Sequence, residues 1–545
     1  MRGLKKNTGV LVTFISLLLL SCNDFLEVEP TTEVTELDFF KDAEGAQLAV
    51  NAMYDPLGYG EANILGNNGH SYEFIIGDIC SDDAEKGSVD ADQIGITQLK
   101  EFTSNGGNTN INVLWGKHYV AIGRANLVLR NLENSTIAED TKREFQGEAR
   151  FIRGYSYFLL VRIFGGVPLF DTPVTPDQIN NKEFTNAPIY EIYQQIDEDF
   201  QFAADNLPVR GAREVGRANR GAAAAYLARS IMYQIGTDNT NGHTWQEVLT
   251  ITDNFISGQY GSYSLASNYA ALFDPTGENN EESIFEIQSV DTGIDAFQQG
   301  LYIGSEWSVF QHPQFMGGWG FNTPTQDLVD VFEANDPRRH NTALAVGEYA
   351  FGVEMESSER NKTGYYTRKA ILHPDDWVTE KGSGYNVRKF RYADILLMNA
   401  EAAYHTGGSA QAVQRLSELR DRASQSTYPR GFDPSDPDGF TATGFSPLDN
   451  ALIPSGGQAL LDFIYEERRR EFGMEQLRLW DLIRTGRFVS SMTTKYGIGA
   501  SVIESHAFTN SNKQTSEQVI VNPIPVYPIP ALEVADWGIS QNPGY

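Results

Sequence analysis

Apolar side chains recur along this chain at alternating steps of three and four, a period that demands helices buried along one face. Trp115, Tyr119, Ile122, Asn126 and Leu129 step by four, three, four and three. Phe151, Tyr155, Phe158 and Arg162 repeat the step, and Ile152, Leu159 and Ile163 widen the stripe. Ile189, Ile192, Ile196, Phe200, Ala203 and Leu207 form a third run. Each run lays one apolar face along a helix. Pro168 and Pro208 stand just past two of them, where a helix has to stop.

A hairpin is legible further on. Tyr392, Ile395, Leu396 and Asn399 mark a helix ending near Tyr404, and Val413, Leu416, Leu419 and Ala423 mark its return. Between them Thr406-Gly407-Gly408-Ser409 reads as a turn, with Ser409 as the expected N-cap. Two helices over about 34 residues, with small side chains where they cross, resemble a tetratricopeptide unit. Ala400, Ala402 and Ala403 supply the small residues here, and Gly221 to Ala228 gives another close-packing helix. The expected fold is therefore mainly α: a tetratricopeptide-like helical-repeat scaffold carrying large, irregular, loop-rich insertions near 57–110 and 260–390. Such repeats stack into a scaffold, and long insertions are where function concentrates. Val519 to Pro530, with prolines at 523, 525, 528 and 530, is expected to run extended along the surface.

The first residues carry an address. Arg2, Lys5 and Lys6 precede an apolar run from Val10 to Leu20, which ends in Leu-Leu-Leu-Ser-Cys at Cys22. The run is short for a spanning helix and reads as a secretory signal. Ser21-Cys22 matches the bacterial lipobox, so residues 1–21 are expected to be removed and Cys22 lipidated. Several acyl chains anchor stably where one binds marginally. Residues 22–36, with Asp24, Glu27, Glu29, Glu33 and Glu36, read as a flexible acidic tether, and 37–545 as one large domain. With Cys22 modified, Cys80 stands alone in an apolar stretch and reads as buried filler. Net charge is −30, a field that repels nucleic acid and anionic surfaces.

Several motifs in order resemble the SusD/RagB family of outer-membrane lipoproteins of Bacteroidota. They are Cys22 to Glu27, Trp115 to Asn126, Gly147 to Leu169, Arg391 to Glu401, Glu466 to Arg487, and the ending Tyr527 to Ala531 with Gln541 to Tyr545. The resemblance implies a fold of about four helical repeat units with an irregular ligand face. It further implies a lipid-anchored, non-catalytic binding protein at the outside of the cell. That protein would capture oligo- or polysaccharide and deliver it to a SusC-like TonB-dependent transporter. A peptide-binding importer subunit and a cell-surface glycoside hydrolase are the alternatives. A hydrolase needs two carboxylates at a set separation, and no pair among the 72 acids is marked out.

Saccharide binding needs flat apolar rings with amide or carboxylate edges around them. Residues 301–321 offer Tyr302, Trp307, Phe310, Phe315, Trp319 and Phe321 in a Gly-rich setting. Trp307 and Trp319 are the expected stacking residues, with Phe310 beside them. The competing reading packs most of these rings into the core of the insertion. Asn67-Asn68-Gly69-His70-Ser71-Tyr72 is the second candidate, through Asn68, His70 and Tyr72, with a plain turn as its competing reading. Glu466-Glu467-Arg468-Arg469-Arg470-Glu471 spaces its charges for ion pairs within one helix: Glu466 and Glu467 with Arg470, and Arg468 with Glu471. Asp82, Asp83, Asp90 and Asp92 read as a solvated acidic loop. No cofactor is expected. The eight histidines lack ligand-like spacing, and Asp436-Pro437-Asp438-Gly439 is a poor match to a structural calcium loop.

Overall fold

The computed structural model describes residues 39–58, 70–237, 241–290, 306–374, 383–496, 507–508 and 524–545. The signal, Cys22, the tether, Asn68 and Tyr302 lie outside those residues.

A row of helices forms the scaffold. An opening helix, α1 (Ala43–Tyr54), leans on the first two members of the row, α2 (Thr109–Glu133) and α3 (Glu139–Phe164). Then α4 (Ile189–Asn206), α5 (Arg220–Gly236) and α6 (Trp245–Ile256) follow, each packed on the one before. The chain departs at residue 257 and returns as α7 (Tyr392–His405), which packs on α6 and carries α8 (Ser409–Ser424) on its other side. The expected apolar stripes are the buried ones: Trp115, Ile122, Phe151, Phe158, Ile192, Ile196 and Phe200 all lie in one core.

Local chemistry sets the helix ends. The side chains of Asn108 and Asn219 accept from Asn110 N and Ala222 N at 3.0 Å each, and Thr244 with Glu247 closes a capping box. Ser409 is the first helical residue, and Gly408 takes the cap position without a side-chain bond. On α5, Ala222 to Ala225 and Ala228 are buried, so both neighbouring helices approach its backbone. One buried guanidinium stitches three helices. Arg153 of α3 makes a two-point contact to Asp199 of α4 at 2.8 Å each and donates to Asn126 of α2 at 2.8 Å.

The long insertion is tied off at its root by strands β2 (Ser283–Ile287) and β6 (Val387–Arg391), which pair antiparallel just before α7 begins. Within it β3 (Phe321–Pro324) pairs with β1 (Ala84–Gly87) of the first insertion, so the two insertions are joined. The pair β4 (Ala343–Ala345) and β5 (Tyr365–Thr367) lies beyond. From residue 526 the C-terminal stretch is extended as expected, but Val526 to Pro530 are buried rather than on the surface, because this stretch packs against the end of α3; residues 519–523 lie outside the described residues. Tyr527 N donates to Ile163 O at 2.9 Å, and the Asn542 amide donates to Phe164 O at 2.8 Å.

The charged helix α9 (Gly457–Phe472) corrects the expected pairing. Glu466 and Glu467 do reach Arg470, at 3.2 and 3.0 Å. Arg468 instead turns to Asp394 and Asp481, and Glu471 meets Arg338, Arg391 and Arg422 from other parts of the chain. The acidic loop needs the same correction. Asp82 and Asp83 are buried rather than solvated, because Arg478 and Arg469 neutralise them at 2.6 and 2.7 Å. Cys80 is buried as expected. Asp438, in the poor calcium match, pairs with Arg430 at 3.0 Å and His373 at 3.3 Å. Among the described residues no helix is long and apolar enough to cross a membrane.

Candidate functional site

The two aromatic stretches singled out in the sequence meet where the insertions join. A short helix, Trp307–Gln311, leads into a turn built on glycine. Gly317 takes φ 88° and Gly320 φ 73°, both left-handed. At Gly318 a Cβ would sit 2.2 Å from His312 O, so no larger residue fits this turn. Trp319 N donates to Val309 O and Gly320 N to His312 O, each at 2.9 Å. The turn thereby sets Trp319 immediately before β3.

Rings gather behind it. Phe310 is the inner one, fully buried, with centroids 5.4 Å from Trp319, 4.8 Å from His70, 5.5 Å from Tyr72 and 4.3 Å from Phe321. His70 meets Trp319 edge-on at 5.9 Å and lies parallel to Tyr72 at 6.2 Å. Trp319 alone of these rings is half-buried. Trp307 is placed differently. It is 7% exposed, and its ring stacks on Tyr385 at 6.0 Å, which covers one face. Phe315 packs against Tyr366 in a separate small core.

Polar edges frame the half-buried ring. Gln314 donates to Trp319 O at 2.9 Å and to Ser88 Oγ at 3.4 Å, and Ser88 Oγ donates to Asp92 at 2.8 Å. The 88–92 loop is held from inside: the Lys86 ammonium donates to the carbonyls of Val89 and Asp90, at 2.9 and 3.3 Å, and to that of Asp92. Ser88 and Gln93 adopt left-handed φ of 54° and 47° at its ends. On the other side the Tyr72 hydroxyl donates to Glu306 at 3.0 Å. Burial lowers the His70 ring to about 4, although Asp92 pulls it upward, so the imidazole is neutral at ordinary pH. His70 Nδ1 is enclosed and makes no hydrogen bond to any described residue. Beneath, burial works to raise the Glu73 carboxyl, but Lys389 and Lys117 outweigh it and hold the group at about 2.

The structure thus brings Trp319, Phe310, His70 and Tyr72 together, keeps Phe310 interior, and sets Trp307 aside on Tyr385. Sequence reasoning missed Gln314, Ser88, Glu306 and the paired role of Lys86 and Asp92. None of them carries a local motif, and β-pairing across more than 200 residues is what collects them.

A groove of about 800 Å³ lies elsewhere, along the helical row. Phe202, Leu227, Ile231 and Ile251 are its apolar lining, and His243 bridges Asp197 and Glu247 at 3.1 and 3.2 Å. The guanidinium of Arg150 lies 4.4 Å over the Phe202 ring, so that face is already taken.

Comparison with known proteins agrees with the architecture. A family model described as "SusD family" matches residues 334–545, and one described as "Starch-binding associating with outer membrane" matches 24–232. The starch-binding protein SusD of Bacteroides thetaiotaomicron is 30% identical over 488 residues, covering 78% of each chain. A solved laminarin-binding SusD-like protein is 26% identical with TM-score 0.69, over 93% of this chain and all of the other. Surface glycan-binding protein A of Bacteroides thetaiotaomicron, solved with laminarihexaose, shares the fold at TM-score 0.70 and 23% identity, over 92% of this chain and all of the other. The chain belongs to the SusD/RagB family of Bacteroidota.

Proposed function

We propose that this protein captures oligo- or polysaccharide on the Trp319 face. It then presents the sugar to a SusC-like TonB-dependent transporter while lipid on Cys22 holds it at the outer face of the outer membrane. The observation that carries the binding part is the half-buried indole of Trp319, backed by Phe310 and His70, with Gln314 on its backbone carbonyl and the carboxylates of Asp92 and Glu306 held by Ser88 and Tyr72 of the same cluster. A ring so placed stacks on the C–H face of a pyranose, while carboxylate and amide edges take its hydroxyls. Import needs no chemistry at this site, since the transporter supplies the energy.

Affinity electrophoresis through gels containing polysaccharide tests the reading. Retardation by at least one glycan is expected. Trp319→Ala should weaken that binding by about 1–3 kcal/mol, the cost of losing a central aromatic contact. Trp307→Ala should act first on stability, because that ring is interior. Undiminished retardation of a folded Trp319→Ala variant would move the site elsewhere, and binding of peptides with no glycan retained would end the saccharide reading. Co-purification of the full-length lipoprotein with a TonB-dependent transporter from detergent-solubilised outer membrane tests the delivery step.

A further inference from the structure

A second group of half-buried rings lies apart from Trp319, where the segment between α8 and α9 meets the residues just ahead of β4. Tyr428 and Phe432 lie face to face, with centroids 4.2 Å apart and planes 4° from parallel. His340 stands edge-on to both, at 4.9 and 5.3 Å. Phe445 closes the group, 5.8 Å from Tyr428 and 6.2 Å from His340. All four rings are half-buried. That sets them apart from ordinary core rings: Phe351 and Tyr366, in the small core on which Phe432 rests, are 3% and 2% exposed. The frame beneath is rigid. Tyr428 N donates to Thr441 O at 3.0 Å and Gly431 N to Gly439 O at 2.9 Å, so the segment folds back on itself. Phe351 N and Gly352 N donate to Arg430 O and Gly431 O at 2.8 and 2.9 Å, and the Asn341 amide donates to Thr427 O at 2.9 Å. Gly431 takes φ 64°, and a Cβ there would sit 2.4 Å from Phe351 Cα and from Pro437 O. Beside the rings the Arg339 guanidinium forks onto Glu348 at 2.8 and 2.6 Å, and Glu348 also meets His340 Nδ1 at 2.9 Å. The Arg339 and Glu348 side chains stay 22% and 17% exposed, so this polar pair borders solvent.

We infer that these rings form a second saccharide-binding surface, which takes a further stretch of the same polysaccharide chain. The inference rests on the protein being a glycan binder and not on Trp319 being its site. Apolar ring faces meet the C–H side of a pyranose, and polar groups at their border meet its hydroxyls. The Arg339–Glu348 fork presents donors and acceptors side by side, which suits two neighbouring hydroxyls. Little ordering is left to do on binding, because the backbone under the rings is already fixed. The two ring groups also share a support. Phe315, just ahead of Trp319 in the chain, and Phe432 pack on the same small core. They are therefore held in a fixed relation. A polysaccharide that has met one surface meets the other intramolecularly, at a raised effective concentration, and a short oligosaccharide does not.

Hydroxyl-radical footprinting of the mature full-length protein, read by peptide mass spectrometry, tests this without any substitution. Laminarin, soluble starch, galactomannan and yeast mannan are the probes, each used where it retards the protein in a gel. With polysaccharide bound, oxidation of Tyr428, Phe432 and Phe445 should fall relative to peptides elsewhere in the chain, together with that of Trp319. Protection of Trp319 with the other three rings unchanged overturns the inference and leaves the Trp319 face standing. Protection of those three with Trp319 unchanged supports the inference and removes the Trp319 face. A second measurement uses Tyr428→Ala, with its folding checked by urea unfolding. It should weaken binding of the retarding polysaccharide about tenfold or more. Undiminished retardation of the folded variant overturns the inference. Retardation by none of the four glycans overturns saccharide binding itself, and the inference with it.

Discussion

Asp78 sits where the first insertion meets the turn after α9, and the joint is tight. A Cβ on the adjacent Gly77 would lie 2.1 Å from Gln476 O. The Asp78 carboxylate accepts from Gln476 N at 2.8 Å and from the Asn322 amide at 3.3 Å. Burial first, and then the charge of Asp83, push this group up to about 8. Unfolded, it would titrate near 4. Below that pH both states hold the proton. Between about 4 and 8 the folded state keeps a proton that the unfolded state has released, so stability falls as pH rises. Asp78→Asn carries no charge at any pH, and it can present its amide to the Asn322 oxygen, which now lacks a donor. The gap in urea-unfolding free energy between the variant and the unmodified protein should therefore widen in the variant's favour, by roughly 1 kcal/mol per pH unit from pH 5 to 8. A gap that stays flat over that range would show the carboxyl to be ionised throughout.

Helix α9 locks the insertion onto the scaffold. Glu471 is fully buried and faces Arg338 at 2.9 Å, Arg391 at 2.5 Å and Arg422, while Glu282 at the root of the insertion meets the last two at 2.8 Å each. Neutralising one member leaves buried cations uncompensated, so Glu471→Gln should cost about 3–5 kcal/mol in urea unfolding. Glu466→Gln, on the same helix but 54% exposed, should cost less than about 1 kcal/mol. Equal costs would mean that the network does not act as the lock. The helices were legible in the sequence because a period of three and four is written locally, residue by residue. Arg468, Arg469 and Glu471 could be recognised as helical and charged, but their partners lie as far off as Asp83 and Asp394, and nothing local encodes a pairing made by tertiary approach. The site divides the same way. Trp319 and His70 stood out singly as an aromatic turn and an amide-rich loop. Their union, and the burial of Phe310 and Trp307, came only from β1 pairing with β3 and from Tyr385 closing over Trp307.

On the scale of the whole molecule, a chain of net charge −30 has an aromatic face as its proposed ligand site. Stacking and hydroxyl contacts involve no ion release, so affinity for a neutral glycan should change less than about twofold between 50 and 500 mM NaCl. The proposed anchor has a job separable from binding. His70, Tyr72, Phe310 and Trp319 all lie downstream of residue 39, and Cys22 lies outside the described residues, so anchor and rings can be tested apart. What tethering supplies is concentration: a binding protein held beside its transporter meets it intramolecularly, at an effective concentration that free protein does not reach. Cys22→Ser should therefore abolish incorporation of labelled palmitate and move the protein from the membrane pellet to the soluble fraction. Its retardation in a glycan gel should match that of the anchored form after detergent extraction. Growth on the bound polysaccharide should fall even though the sugar site is intact. Retention of the serine variant in the membrane pellet, with no label incorporated, would show that contact with the transporter alone holds the protein in place and that the lipid is dispensable.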